Sequence, residues 1–223
     1  MSGWTKRGEH HMKLYSYFRS SAAYRVRIAL NLKGLKPENV YVHLLKNEQR
    51  TPDYLKLNPV GLVPTLVDGA EVITQSLAII EYLDEKHAAP PLLPATPEER
   101  ARVRSIALAI ACDIHPLDNL RVLKYLTDVL KISEPKKIEW YAHWVHEGLM
   151  PLEARLAADP CTGSFCHGEK PTLADICLIP QLANARRVDM NLALYPTLLR
   201  IEAACNALPA FAGAAPARQP DAT

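Results

Sequence analysis

The sequence predicts a small α/β domain followed by an all-helical one. Three observations carry this. Short strand-forming runs alternate with helical patterns from Met12 to Lys86, four prolines crowd into residues 87–97, and strand-like alternation does not return afterwards. The expected boundaries are an extension or tag over 1–11, the α/β domain over 12–89, a linker over 90–97, and a helical domain with its tail over 98–223.

Residues 13–17 read as a strand, and residues 22–33 as a helix whose Val26, Ala29 and Leu30 share a face and which Gly34 closes. Residues 40–44 and 64–67 are the next strands expected. Asp68-Gly69 makes a tight turn into a fourth strand at 72–74, and a helix follows at 76–86. This order, βαβ then ββα, implies a mixed sheet with helices packed on it. Pro90, Pro91, Pro94 and Pro97 then forbid continuous helix. Thr96-Pro97-Glu98-Glu99 restarts it with an N-cap, a proline in the first turn and an acid at the capping-box position. Pro116, residues 133–135, residues 159–168 and Tyr195-Pro196 punctuate the helices, and Thr172-x-x-Asp175 opens one that runs toward Arg187. From Pro209 the chain is rich in Ala and Pro and poor in large apolar residues, so it is expected to be a draped tail.

With 223 residues, 48% hydrophobic and 22% charged, the chain can bury a core without disulfides or metals, which excludes disorder. A formal charge of +2 is far from what binding a phosphate backbone needs, so no nucleic acid is expected. No apolar run approaches the ~18 residues of a membrane span, and residues 1–11 lack the apolar stretch of a secretory signal. Five cysteines, with Cys112, Cys177 and Cys205 expected in apolar helical surroundings, imply a reducing compartment and a cytoplasmic protein. His10 and His11 read as tail. Cys161-x4-Cys166-His167 has a zinc-like spacing but no second ligand pair, so a plain loop and no metal are expected. His143 and His146 flank Trp144 and are expected to decorate a helix face. No Gly-x-Ser-x-Gly elbow points to a hydrolase.

Chemistry concentrates at three corners of the α/β domain. The first is the strand-to-helix turn Phe18-Arg19-Ser20-Ser21-Ala22, with Arg25 one turn on. Free N–H groups, the positive end of a helix, two hydroxyls and two guanidinium groups favour an anion there, while the plainer reading is that Ser20 or Ser21 caps the helix and Arg19 is solvated. The second is Asn58-Pro59-Val60-Gly61-Leu62-Val63-Pro64-Thr65. A proline opening a central strand suggests a cis Val63–Pro64 bond that turns the Val63 backbone outward for a ligand to pair with. Gln75-Ser76 is the third, offering amide, hydroxyl and N–H groups to a carboxylate. Together they suit a peptide-like anion.

Tyr15-Ser16-Tyr17-Phe18-Arg19-Ser20-Ser21, with Tyr24-Arg25-Val26-Arg27-Ile28-Ala29-Leu30, resembles the zeta class of the glutathione transferase superfamily. So do Gln75-Ser76-Leu77-Ala78-Ile79-Ile80-Glu81-Tyr82-Leu83 and Ala174-Asp175-Ile176-Cys177-Leu178-Ile179-Pro180-Gln181. The resemblance implies a thioredoxin-like N-terminal domain, an all-α C-terminal domain and glutathione as cofactor. On this basis Ser20 and Ser21 take the sulfur with Arg25 nearby, Val63 and Pro64 present the backbone to the cysteinyl unit, and Gln75 and Ser76 take the γ-glutamyl end. Gln49 is a further expected contact. His115, Asn119, Leu120 and Arg121 close the site, some of them from the neighbouring subunit of a homodimer. Arg187, in Asn184-Ala185-Arg186-Arg187, corresponds to the class arginine for the substrate carboxylate, and Arg19 is expected to assist it, while Arg186 points ~100° away around the helix. The implied activity is cis–trans isomerisation of maleylacetoacetate, with maleylpyruvate a close rival and transfer to small haloacids an alternative. One departure stands out: Ala22 occupies the place where the class usually has cysteine.

Overall fold

The computed structural model describes residues 12–222. The expectations for residues 1–11, His10 and His11 included, lie outside that range. Strand β1 (Met12–Ser16) leads into α1 (Ser21–Leu32) and then β2 (Glu38–Tyr41), which pairs parallel to β1. Strand β3 (Thr65–Asp68) runs antiparallel to β1 and turns through Gly69, at φ +64°, into β4 (Glu71–Thr74). The sheet order is β2-β1-β3-β4, and helix α3 (Ser76–Lys86) follows. This mixed four-stranded sheet is the thioredoxin-like arrangement expected. Its central strands place Leu14 directly opposite Leu66, both fully buried.

Between β2 and β3 the expectation was incomplete. The apolar run at 40–44 is not all strand: Val42 leaves the sheet to pack with Tyr17, Phe18, Tyr54 and Val63, and Leu44 opens a 3-10 turn capped by His43. A second 3-10 turn (Glu48–Arg50) and a short helix α2 (Pro52–Leu57) complete the connection.

The helical part comprises α4 (Pro97–Leu108), α5 (Leu120–Lys124), α6 (Glu134–Ala158), α7 (Leu173–Arg187), α8 (Pro196–Asn206) and α9 (Pro209–Ala212). Widened π-type turns prolong α4 over Ala109–Ile114 and α5 over Tyr125–Val129. Both expected capping boxes form, Thr96 with Glu99 and Thr172 with Asp175. Helix α1 packs against α3 and α7, so one apolar core runs from Leu14 and Leu66 through Val26 and Ile28 to Ile176 and Leu178. That shared core fixes how the two domains meet. No helix among the described residues is long and apolar enough to cross a membrane.

Two expectations need correction. The stretch from Pro209 is not a draped tail. Phe211 is fully buried, Ala214 nearly so, and backbone carbonyls of the segment accept bonds from Tyr24, Arg27 and Asn31 of α1. One aromatic among alanines suffices to seat it, because small neighbours allow close approach and α1 satisfies the carbonyls. Cys112 is exposed, whereas Cys177 and Cys205 are buried as expected. It falls in the widened turn after α4, where ordinary helical spacing no longer decides which residues face inward. The loop over residues 159–168 is ordered by Arg102, whose guanidinium reaches Asp159, the Cys166 carbonyl and the Thr162 hydroxyl. His143 is exposed with its ring against Trp144, and His146 Nδ1 lies 2.7 Å from the Tyr195 hydroxyl.

Candidate functional site

Two adjoining cavities of about 470 and 200 Å3 open where α1 and the sheet edge face the helical domain. Every residue expected at the site lies in their walls. The larger cavity holds Arg19, Ser20, Ser21, Gln49, Val63, His115, Asn119, Leu120, Arg121 and Arg187. The smaller holds Arg25, Pro64, Gln75 and Ser76, and shares Val63, His115, Asn119 and Arg121 with the first. Ala22 and Cys112 also line the smaller one.

At the N-terminus of α1 the two serines divide the work. Ser20 is the N-cap, its Oγ accepting from Ala23 N–H at 3.2 Å, so the capping reading holds for this residue while its own proton stays free. Ser21 is buried in the first turn, with Oγ 3.1 Å from His115 Nδ1. The His115 tautomer follows from its neighbours. Asn119 Oδ1 accepts from Arg121 N–H, which orients the amide so that Nδ2 faces His115 Nε2 at 3.4 Å as a donor. Nε2 is then an acceptor, and a neutral ring carries its proton on Nδ1, where it meets Ser21 Oγ. Burial first, then the charges of Arg25, Arg121 and Arg187, push the imidazole down to about 3, so the ring is neutral at ordinary pH. Ser21 thus accepts from His115 and keeps its own hydroxyl proton to donate to an anion.

The Val63–Pro64 bond is cis, as the sequence suggests. Its loop is held from behind. Tyr54 Oη and Asn58 Nδ2 donate to the Leu62 carbonyl at 2.6 and 2.8 Å, and both reach Thr65 Oγ1. In the smaller cavity Arg25 is 1% exposed, and Nη1 reaches Ser76 Oγ at 3.4 Å. Its Nε and Nη2 have no partner, nor does Gln49 Oε1 at the other end of the site. A buried guanidinium with idle donors is costly alone and well matched to a carboxylate. Beside it Gln75 takes φ +71°, a backbone region unusual for a side-chain-bearing residue, where it caps α3. The donors, the idle amide and the hydroxyl-lined helix terminus fit a γ-glutamyl tripeptide with two carboxylates and one thiol.

Sequence reasoning missed the floor of the larger cavity. Asp118, 4% exposed, accepts from Gln181 Nε2 at 2.9 Å and lies 3.6 Å from His115 Nδ1. Burial raises this carboxyl to about 6 against the pull of Gln181, Arg25 and Arg187. Tyr141, also buried, lines the same cavity, and burial and the Asp118 charge raise its phenol. Gln181 lies within a motif that carries the family resemblance, but nothing local in the sequence shows that Asp118 meets it. Arg187 faces the cavity, whereas Arg186 turns away into an ion pair with Glu202, the split that helical spacing implies. Leu44, Leu45, Leu123, Ile138 and Val188 give the same cavity an apolar part. Lys124 Nζ reaches Asn47 Oδ1 at 3.1 Å.

Residues 10–85 match the family described as glutathione S-transferase, N-terminal domain, and residues 145–212 match glutathione S-transferase, C-terminal domain. A probable maleylacetoacetate isomerase of Vibrio cholerae is 51% identical over 211 residues, which is 94% of this chain and 97% of that one. Among solved structures, a holo maleyl pyruvate isomerase described as a bacterial glutathione S-transferase of the zeta class superposes with a TM-score of 0.93. It is 46% identical and covers 95% of this chain and 100% of its own. Maleylacetoacetate isomerase from Methylobacterium extorquens AM1, solved with malonate and glutathione, gives 0.92 at 44% identity, covering 95% and 99%. With its cavities built on that same two-domain fold, the chain belongs to the zeta class of the glutathione S-transferase family.

Proposed function

We propose that this protein is a glutathione-dependent cis–trans isomerase converting maleylacetoacetate to fumarylacetoacetate, a step of tyrosine and phenylalanine breakdown. The observation that carries the reading is the placement of Arg187 and Arg19 in the same cavity as the free hydroxyl protons of Ser20 and Ser21. Isomerases of maleyl compounds among its relatives, and the malonate and glutathione bound by one of them, support it.

When bound, glutathione supplies the thiol that adds reversibly to the double bond beside the substrate carbonyl and so lets that bond rotate. A free thiol titrates near 8.5, so the site must favour the thiolate. Ser20 and Ser21 donate to the sulfur from the positive end of α1, and neutral His115 aims Ser21 for the task. Arg25, Gln75 and Ser76 hold the γ-glutamyl carboxylate, Gln49 holds the peptide, and the Val63 backbone pairs with the cysteinyl unit. Arg187 and Arg19 take the substrate carboxylates, for which a planar fork suits better than a lysine. Charge that develops on the conjugated carbonyl meets cationic donors already in place, which stabilise the transition state more than the ground state. None of these roles needs the thiol that Ala22 lacks.

Maleylpyruvate is the second reading, because the relative of TM-score 0.93 acts on it. The two substrates differ by a short extension worth about 1–3 kcal/mol of discrimination in a pocket. The protein is also read as a cytoplasmic homodimer. Five cysteines in thiol form suit a reducing compartment, and exposed apolar Val72 and Leu108 suit a subunit contact. The test is glutathione-dependent loss of maleylacetoacetate absorbance, with maleylpyruvate run in parallel. Preference for one names the substrate, and activity on neither with glutathione bound contradicts the isomerase reading.

A further inference from the structure

Phe18 sits in the turn just before the sulfur-binding serines, between Tyr17 and Arg19, which both line the larger cavity. Both of its backbone groups are engaged from outside the turn. The N–H donates to Asp221 Oδ2 at 2.9 Å, a contact across 203 residues, and the carbonyl accepts from Arg27 Nη2 at 3.1 Å. Arg27, 6% exposed, also reaches Ser16 Oγ at 3.2 Å through Nη1 and the Ala214 carbonyl at 3.0 Å through Nε. One guanidinium therefore ties the end of β1, the turn and the C-terminal segment together. That segment is a built structure. Phe211 and Ala214 anchor it, Tyr24 and Asn31 hold the carbonyls of Phe211 and Ala210, and Gln219 Nε2 folds back onto the carbonyls of Gly213 and Ala215, both at 3.0 Å. The fold delivers the Asp221 carboxylate to a backbone amide two residues from Ser20.

We propose that Asp221 is a positioning residue for the glutathione site, in which the C-terminal segment acts as a strap that fixes Phe18 and, through it, Arg19 and the N-terminus of α1. The coupling is direct: Ser20 N–H donates to the Tyr17 carbonyl at 3.0 Å, so the turn that Asp221 holds is the turn that presents Ser20. An amide bonded to a carboxylate is held more firmly than one bonded to a neutral group or to water. Released from Asp221, the turn samples more conformations, and the serine donors and Arg19 lose part of their preorganisation toward an anion. A carboxylate that merely packed the chain end would affect stability alone.

This inference rests on the reading that Ser20 and Ser21 receive the sulfur of glutathione, and the experiment separates the two. Wild type, Asp221→Asn, Asp221→Ala and a chain ending at Pro220 are compared in three measurements: glutathione dissociation constant by equilibrium titration, the ultraviolet thiolate signal of bound glutathione against pH, and melting temperature. Asp221→Ala and the shortened chain are expected to bind glutathione about tenfold more weakly, with the thiolate midpoint displaced upward. Asp221→Asn, which keeps an acceptor but loses the charge, falls between them and wild type. Melting temperatures stay within a few degrees, since Phe211 still anchors the segment. Should the Ala variant and the shortened chain not fold, the near-isosteric Asn variant carries the test: weaker binding with faster hydrogen exchange at the Phe18 amide supports the proposal. Unchanged affinity and thiolate midpoint in the folded variants would overturn it, whatever happens to melting. Failure of wild type to bind glutathione would instead overturn the functional reading.

Discussion

Ser21 Oγ and His115 Nδ1 meet at 3.1 Å across 94 residues, joining the first turn of α1 to the turn that follows the first long helix of the second domain. Because Asn119 occupies Nε2 as a donor, the histidine proton sits on Nδ1 and points at Ser21. One domain thereby sets the hydrogen-bond polarity of a hydroxyl in the other, the one proposed to meet the glutathione sulfur. The two serines accordingly differ in what they do for the fold.

Ser21→Ala removes a donor to the thiolate and leaves the cap intact. A hydrogen bond to a charged group contributes about 1.5–3 kcal/mol, so kcat/KM should fall about 10- to 100-fold, and stability should drop by about 1 kcal/mol because His115 Nδ1–H loses its acceptor. Ser20→Ala removes the cap and should also cost about 1 kcal/mol of stability. Steady-state kinetics and urea melts on both variants check these outcomes.

Arg25→Met keeps bulk in the wall of the smaller cavity and removes the idle donors. Glutathione affinity should drop at least tenfold, while the protein without ligand melts no lower, because an incompletely paired buried charge has been taken away. Calorimetric titration and a thermal melt of the same sample read both effects. A variant that binds glutathione as wild type does would remove Arg25 from the site.

His115 gives stability a definite pH sign. The unfolded chain takes up a proton near 6.5 that the native ring refuses down to about 3, so the native state is fully favoured above 6.5 and loses this contribution as pH falls through that window. About 2 kcal/mol should be lost by pH 5 through this group. Asp118 acts oppositely. Its native carboxyl, raised to about 6 from 3.8, holds a proton the unfolded chain has released, so its contribution declines as pH rises from about 4 to 6. Urea melts at pH 5 and 7.5 should show a smaller acid loss in His115→Asn than in wild type, and a larger one in Asp118→Asn.

Phe211→Ala tests the C-terminal segment as core. A fully buried phenylalanine should cost about 3–5 kcal/mol on truncation, whereas a draped tail would cost almost nothing. Chemical denaturation measures it.

Local chemistry made most of this site legible in the sequence. The serine turn, the proline that opens β3 and the Gln75-Ser76 junction each lie within a few residues of what they organise. Helical geometry sets Arg187 and Arg186 apart, and the family resemblance is what picks out Arg187 as the one at the site. What stayed hidden depends on meetings between distant segments. Asp118 with Gln181, Asp221 with Phe18 and Asn119 with the His115 tautomer are pairings made only by the packed core. Composition also misled at the C-terminus, since a single Phe211 among alanines seats a segment whose average character is that of a tail. Apolar helical surroundings likewise do not bury Cys112, because the widened turn after α4 turns it outward.

The most direct test of the central claim compares wild type with Arg187→Ala in two reactions run at saturating glutathione: isomerisation of maleylacetoacetate, and conjugation of a small electrophile without a carboxylate. Arg187 is assigned to the substrate carboxylate and not to glutathione. Isomerisation should therefore fall at least 100-fold in kcat/KM while conjugation changes less than threefold, with glutathione affinity preserved. Equal losses in both reactions, or isomerisation that survives the substitution, would contradict that assignment.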